Sequence, residues 1–211
     1  MPLDTAVYPV NLVVDGRRCL VVGGGAVATG KVRNLRAAGA IVHVVAPEIS
    51  DEIAAMADVT VERRRYRQGE VAGYRLAIAA TGDPAVNGAV FSDGEAAGVW
   101  VNSADDPARC AFTLPSVVRQ GALTVTVSTG GHSPALSRWL ADRFERAIGP
   151  EYSVLVDLLS AERRAAKAAG RSTEDLDWQK ALDSDMLALI KAGQIQQARE
   201  RLQACLSSSS A

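Results

Sequence analysis

Cysteine and histidine are scarce in this 211-residue chain, and each scarcity excludes something. Cys19, Cys110 and Cys205 stand far apart with no Cys-x-x-Cys pair. That excludes a disulfide framework and a thiolate zinc site, and it predicts free thiols in a reducing compartment. His132 has only His43 as a companion, and His43 falls in an apolar strand pattern, so no metal site can be argued from them. No apolar run approaches the roughly 18 residues of a spanning helix. The N-terminus lacks the basic, apolar and small-residue succession of a secretory signal. The expected compartment is the cytoplasm, without a membrane partner. A net charge of −1 offers no cationic surplus for a phosphate backbone, so nucleic acid is not an expected partner either.

Glycine, by contrast, is placed with purpose. The segment Cys19-Leu-Val-Val-Gly23-Gly24-Gly25-Ala26-Val27-Ala28 runs from an apolar strand pattern into a helical one through a Gly-x-Gly-x-x-Ala turn. In such a turn Gly23 permits the sharp reversal and Gly25 lets a pyrophosphate approach the backbone. Ala28 keeps the helix close to the sheet, and the helix N-terminus faces the phosphates. The strand before and the helix after are both readable, which is the context that gives the motif meaning.

Strand and helix patterns alternate through the first hundred residues. Strands are expected at Arg18–Val22, Ile41–Val45, Val59–Arg63, Leu76–Ala80 and Val99–Asn102. Helices are expected at Ala26–Ala38, stopped by Gly39, and at Pro84–Ala97, with Asp83 as N-cap. Apolar strands separated by helices predict an α/β fold with a Rossmann-like parallel sheet covered on both faces. Then the pattern changes. Phe112–Pro115 reads as short and extended, and Ala122–Ser128 alternates as a half-buried strand. Pro134 suits a first helical turn after Ser133. Helices broken near Gly149-Pro150, Gly170 and Gly193 follow to Cys205, and the serine tail Ser207–Ser210 is expected to be disordered. The expected organisation is a nucleotide-binding domain (1–112), a small mixed dimerisation segment (113–148) and a helical C-terminal domain (149–211). The amphipathic helices exceed what one small core can bury, so a homodimer is expected.

Ligands of an open parallel sheet bind outside the carboxyl ends of its strands. Thr81-Gly82-Asp83 and Asn102-Ser103-Ala104-Asp105-Asp106 close two strands at the edge where the glycine turn lies. Asp105 or Asp106 could serve as a general base beside a nicotinamide; the alternative is a loop aspartate making turn hydrogen bonds. Glu48 follows the second strand slightly later than the usual ribose-binding carboxylate. It would reach ribose hydroxyls or cap the next helix. No arginine follows to receive a 2′-phosphate, which favours NAD over NADP. The loop from Ser128 through Thr129 and His132 to Pro134 offers hydroxyls ahead of a helix, as a cradle for carboxylates or simply as a turn. Glu62–Arg67 reads as a solvated charged edge.

These residues together resemble the precorrin-2 dehydrogenase family, the dehydrogenase and ferrochelatase part of siroheme synthases. The marks are Tyr8-Pro9-Val10-Asn11-Leu12, Val21-Val22-Gly23-Gly24-Gly25-x-Val27-Ala28 and Ala79-Ala80-Thr81-x-Asp83-x-x-Val86-Asn87. They continue as Val101-Asn102-x-x-Asp105, Phe112-x-x-Pro115-Ser116-Val117-Val118 and Ser128-Thr129-Gly130-Gly131-x-Ser133-Pro134-x-Leu136-x-Arg138. The resemblance implies a homodimer that oxidises the tetrapyrrole precorrin-2 to sirohydrochlorin with NAD. Some members also insert ferrous iron, so a ferrous or cobaltous ion would be a second substrate, and the sequence leaves that activity open. By the same resemblance Asp105 matches the catalytic aspartate, and Ala26, Val27, Pro47 and Glu48 fall on NAD contacts. Thr81 and Asn102 are expected near the nicotinamide. Thr129 matches a residue that borders the tetrapyrrole pocket in relatives, so Ser128 and Thr129, with His132 in their loop, are substrate-side candidates. Arg138 is a candidate carboxylate partner or a plain surface arginine. Relatives often carry Arg-Lys where this chain has Gly30-Lys31, and a glycine inside a helix costs about 1 kcal/mol against alanine. The methyltransferase domain of bifunctional synthases is not expected here. A rival reading remains: an NAD-sensing dimeric regulatory module without catalysis. It fits the glycine turn but leaves the polar strand ends without a purpose.

Overall fold

A computed structural model describes residues 6–104 and 106–207. The chain divides into two compact units, Met1–Leu114 with Thr129–Ser133, and Pro115–Ser128 with Pro134–Ala211.

The first unit is built on five parallel strands in the order β3-β2-β1-β4-β5. They are β1 (Arg18–Val22), β2 (Ile41–Ala46), β3 (Thr60–Arg63), β4 (Leu76–Ala79) and β5 (Trp100–Ser103), with helices α1 (Ala26–Ala37), α2 (Asp51–Ala54) and α3 (Pro84–Ala97) between them. Successive strand residues point to opposite faces, and both faces are filled. Val21, Val42, Val44 and Ile78 pack on one side with Val32 and Leu35 of α1 and Ile53 of α2. Leu20, Val22, Val45, Ala77 and Val101 pack on the other with Val90 of α3 and Val71. This two-sided burial explains why the strands read as continuous apolar runs. The strand order reverses between β1 and β4, which opens a crevice at their carboxyl ends.

Local chemistry sets the element ends. Asp83 Oδ1 accepts the Ala85 N–H at 2.9 Å to cap α3, and Gly39, at φ 77°, follows the end of α1. The expected solvated edge at Glu62–Arg67 is only half so. Arg63, Arg65 and Arg67 are exposed, but Arg64 and Tyr66 turn inward. Arg64 donates to Glu70 at 2.6 and 3.0 Å, and the Tyr66 hydroxyl donates to Asp93 Oδ2 at 2.8 Å. Burial, followed by Asp93, pushes the Tyr66 phenol well above its usual range. His43 is half-buried: Nδ1 pairs with the Tyr74 hydroxyl, and Nε2 stands 2.9 Å from Glu62 Oε1, off the hydrogen-bonding line.

The second unit holds an antiparallel ribbon, β6 (Ser116–Gln120) and β7 (Leu123–Val127), then α4 (Pro134–Ala147), α5 (Glu151–Ala168), α6 (Trp178–Leu182), α7 (Met186–Lys191) and α8 (Ile195–Ser207). β6 is absent from the sequence-based expectation. Its Ser-Val-Val-Arg-Gln lacks clean alternation and becomes a strand by pairing with β7 across the turn at Gly121-Ala122. Phe112–Pro115 is irregular rather than a strand. Helices α5 to α8 enclose their own core around Leu155, Leu158, Met186, Ile190, Ala198 and Leu202. Ser207 belongs to α8, where a disordered tail was expected to start. The remainder of that tail, Ser208–Ser210, lies outside the described residues.

Candidate functional site

The glycine turn sits at the strand-order reversal and touches both neighbouring strand ends. Gly23 adopts φ 127°, a left-handed conformation that favours glycine. A Cβ on Gly23 would overlap the Ala80 carbonyl just beyond β4, and one on Gly24 would overlap the Glu48 carbonyl beyond β2. The Gly23 N–H donates to Val45 O at 3.0 Å, and the Ser50 N–H donates to Gly24 O at 2.9 Å. The turn is therefore held by the carboxyl ends of β2 and β4, and Pro47 and Glu48 stand exposed beside it.

Gly25 differs from the other two glycines. Nothing lies within 4 Å of where its Cβ would be, so that space is open. It is also the N-cap of α1, it offers no side-chain cap, and the first turn carries no acidic residue. The positive end of α1 therefore meets no side-chain anion of its own helix. Thr29 closes the turn from within, with its N–H bonded to Gly25 O at 2.9 Å and its hydroxyl 3.0 Å from both Gly25 O and Ser50 Oγ. Open room over a glycine at an uncapped helix start suits a dinucleotide pyrophosphate. Ala26 and Val27, both exposed, extend that surface.

Glu48 does not cap the following helix. Ser50 does, its hydroxyl accepting the Ile53 N–H at 3.3 Å. Of the two alternatives for Glu48, the helix cap is thereby overturned, because the cap lies two residues later.

The nicotinamide-side candidates are more deeply involved in the fold than their residue types suggest. The Thr81 hydroxyl donates to Asn87 Oδ1 at 2.7 Å and takes the Asp83 N–H at 3.1 Å. Asn87 returns a hydrogen bond from Nδ2 to Thr81 O at 3.1 Å, which pins the loop after β4 to α3. Asn102 is buried, and its Nδ2 donates to Phe112 O at 2.9 Å. Asp106 caps the 3-10 turn Pro107–Arg109 by accepting the Ala108 N–H at 3.1 Å, the turn role weighed for either aspartate. Asp105, the expected catalytic residue, lies outside the described residues. Cys110, between these groups, has its thiol pushed up chiefly by burial.

Thr129 and His132 fall in the first compact unit, Ser128 and Arg138 in the second. Within the loop the Ser133 N–H donates to Thr129 Oγ1 at 3.0 Å and the His132 N–H to Thr129 O at 3.0 Å. His132 and Arg138 are exposed. Sequence reasoning missed Ser103 and Arg109. Ser103 is a buried hydroxyl at the carboxyl end of an apolar strand, a signal the pattern did contain. Arg109 carries no local signal, since only the fold returns it to the start of α3.

An open, two-sided parallel sheet with an uncapped glycine turn at its switch point defines a dinucleotide-binding protein of the Rossmann class. The chain belongs to the NAD(P)-binding family NAD_binding_7, whose model matches residues 10–116. It is 38% identical over 203 residues to the siroheme synthase of Nitrosococcus oceani, an alignment that covers 94% of this chain and 43% of that protein. The siroheme synthase of Chromobacterium violaceum is 41% identical over 164 residues, 76% of this chain and 35% of that one. The chain thus spans less than half the length of these curated relatives. Among solved structures, SirC, a precorrin-2 dehydrogenase, superposes with a TM-score of 0.66 at 27% identity, covering 94% of this chain and 98% of its own. The family and the glycine turn agree on a nicotinamide dinucleotide, NAD or NADP, as the ligand.

Proposed function

We propose that this chain is an NAD-dependent precorrin-2 dehydrogenase that converts precorrin-2 to sirohydrochlorin. The observation that carries the reading is the open space over Gly25 at the uncapped start of α1, in a chain similar over nearly its whole length to a precorrin-2 dehydrogenase. When bound, NAD accepts a hydride from a ring carbon. The chain's residues do the rest. Backbone N–H groups at Ala26 and Val27 hold the pyrophosphate, while Pro47 and Glu48 border the adenosine ribose. Asp105 takes the proton that leaves with the hydride, so that precorrin-2 and NAD yield sirohydrochlorin, NADH and one proton. Ser128, Thr129, His132 and Arg138 contact the carboxylates of the tetrapyrrole.

Asp105→Ala should lower NADH formation from precorrin-2 about 10²- to 10⁴-fold while NAD affinity, measured by calorimetry, stays within about twofold. Normal turnover in that variant would remove Asp105 from the chemistry.

The same carboxylate suits insertion of ferrous or cobaltous ion into sirohydrochlorin, because metallation releases two pyrrole protons. Anaerobic mixing with and without the protein measures that activity directly. We assign a homodimer, with the segment 113–148 as its dimerisation part, on the exposed Leu136, Trp139 and Phe144 of α4 and Val117 of β6. We assign the cytoplasm as its compartment, where Cys19, Cys110 and Cys205 stay reduced, outside any disulfide. No helix among the described residues is long and apolar enough to cross a membrane.

A further inference from the structure

A hollow of about 260 Å³ opens between the carboxyl ends of β4 and β5 and the start of α3, lined by Thr81, Asn87, Ser103, Asp106 and Arg109 among others. It adjoins the glycine turn, since Gly23 abuts Ala80 and Thr81 is the next residue. Most of its polar groups have partners. Thr81 and Asn87 satisfy each other. Ser103 does not: it is 2% exposed, and its Oγ has no hydrogen-bond partner among the described residues. A buried hydroxyl left unpaired is destabilising, so a group that enters the hollow and bonds to it recovers that cost.

Arg109 lies across the same space. Its Nη1 donates to Pro84 O at 2.9 Å, and Gly88 makes the approach possible, because a Cβ there would stand 2.6 Å from Nη1. Its Nε is 3.4 Å from Asp106 Oδ2, and Nη2 has no partner among the described residues. The hollow therefore offers a hydroxyl and a guanidinium as donors, and the Asp106 carboxylate as acceptor. A carboxylate ligand would face Asp106 with its single positive charge already shared. A primary carboxamide needs a donor for its oxygen and an acceptor for its nitrogen, and finds both.

We propose that this hollow holds the carboxamide at the reactive end of the dinucleotide, with Ser103 and Arg109 donating to its oxygen and Asp106 accepting from its nitrogen. The inference rests on the NAD reading above and deepens it. Ser103 and Arg109 are positioning residues that select the nicotinamide end.

Calorimetric titration of the full chain with four ligands tests it: NAD, ADP-ribose, the acetylpyridine analogue, which has no amide nitrogen, and the deamido analogue, which has a carboxylate. The unaltered protein should bind NAD more tightly than the other three. Ser103→Ala and Arg109→Met should each weaken NAD binding about 3- to 10-fold and leave ADP-ribose affinity unchanged, which also reports an intact glycine turn. The preference for NAD over the acetylpyridine analogue should shrink in both variants. Equal loss for NAD and ADP-ribose, or an unchanged preference, would overturn the proposal. Tighter binding of the deamido analogue would overturn it in favour of an anion subsite. If the unaltered protein bound ADP-ribose as tightly as NAD, the hollow would hold nothing. If it bound neither, the dinucleotide reading itself would fall.

Discussion

The two compact units solve burial differently. In the first, every residue of β4 and four of the five in β1 are buried, and each sheet face carries helices that close it. In the second, the ribbon β6-β7 buries only Val118, and α4 leaves Leu136, Trp139 and Phe144 exposed. Yet α5 to α8 of the same unit close their own core around Leu202 and Met186, both at most 1% exposed. A parallel sheet is stable only with both faces covered, whereas a two-stranded ribbon has one face to offer and little stability alone. The sheet unit can therefore carry a ligand site on a finished scaffold. The ribbon and α4 carry apolar surface that suits assembly.

The sharpest break of that comparison comes from the helical core. Leu202→Ala should destabilise α5–α8 by about 2–5 kcal/mol, read by hydrogen exchange of those amides, with NAD affinity unaltered. Loss of NAD binding in step with the helices would mean that the sheet unit is not self-sufficient. Next in size is the assembly surface. Replacing Leu136 and Trp139 together by Asp should raise the dimer dissociation constant about 30-fold or more, seen as a halved mass in sedimentation, while the exchange protection of β1 and β4 remains.

Within the glycine turn, two substitutions should separate ligand from fold. Gly25→Val fits the extended backbone at φ −85° and fills open space, so it should cut NAD affinity about tenfold or more without lowering Tm. Gly23→Ala meets the Ala80 carbonyl at a positive φ and should lower Tm, with about 1–3 kcal/mol lost from the backbone conformation alone.

The smallest effect is a slope with pH. Burial pushes the Cys19 thiol from its ordinary 9.0 up to about 11. The folded chain therefore keeps this proton where the unfolded chain releases it. This contribution to stability is whole below pH 9.0 and is lost as pH rises towards about 11. Near pH 10 it amounts to about one order of magnitude in the folding equilibrium. Denaturant titrations across that range should show the decline, and Cys19→Val should flatten it.

Much of the sheet unit was legible in sequence because its signals are local. β1, α3 and the Asp83 cap follow from apolar runs, a proline at the first helical turn and a capping carboxylate at the right spacing. β6 was not legible, because its strand character comes from β7. Arg64 and Tyr66 were misread with their charged neighbours, since what turns them inward is Glu70 and Asp93, the latter far along the chain. Asn102 looked available, yet its amide belongs to Phe112.

By itself the sequence determined the dinucleotide turn, the alternation that builds a parallel sheet and the polar residues at the strand ends, because short-range periodicity and glycine geometry carry those features. Only the tertiary structure decided which of those polar groups remain open to a ligand. Thr81 and Asp106 are satisfied within their own turns. Asn102, by contrast, gives its amide to Phe112 and Arg109 reaches back to Pro84, beside a Ser103 hydroxyl with no partner among the described residues. Those contacts form only when the sheet closes.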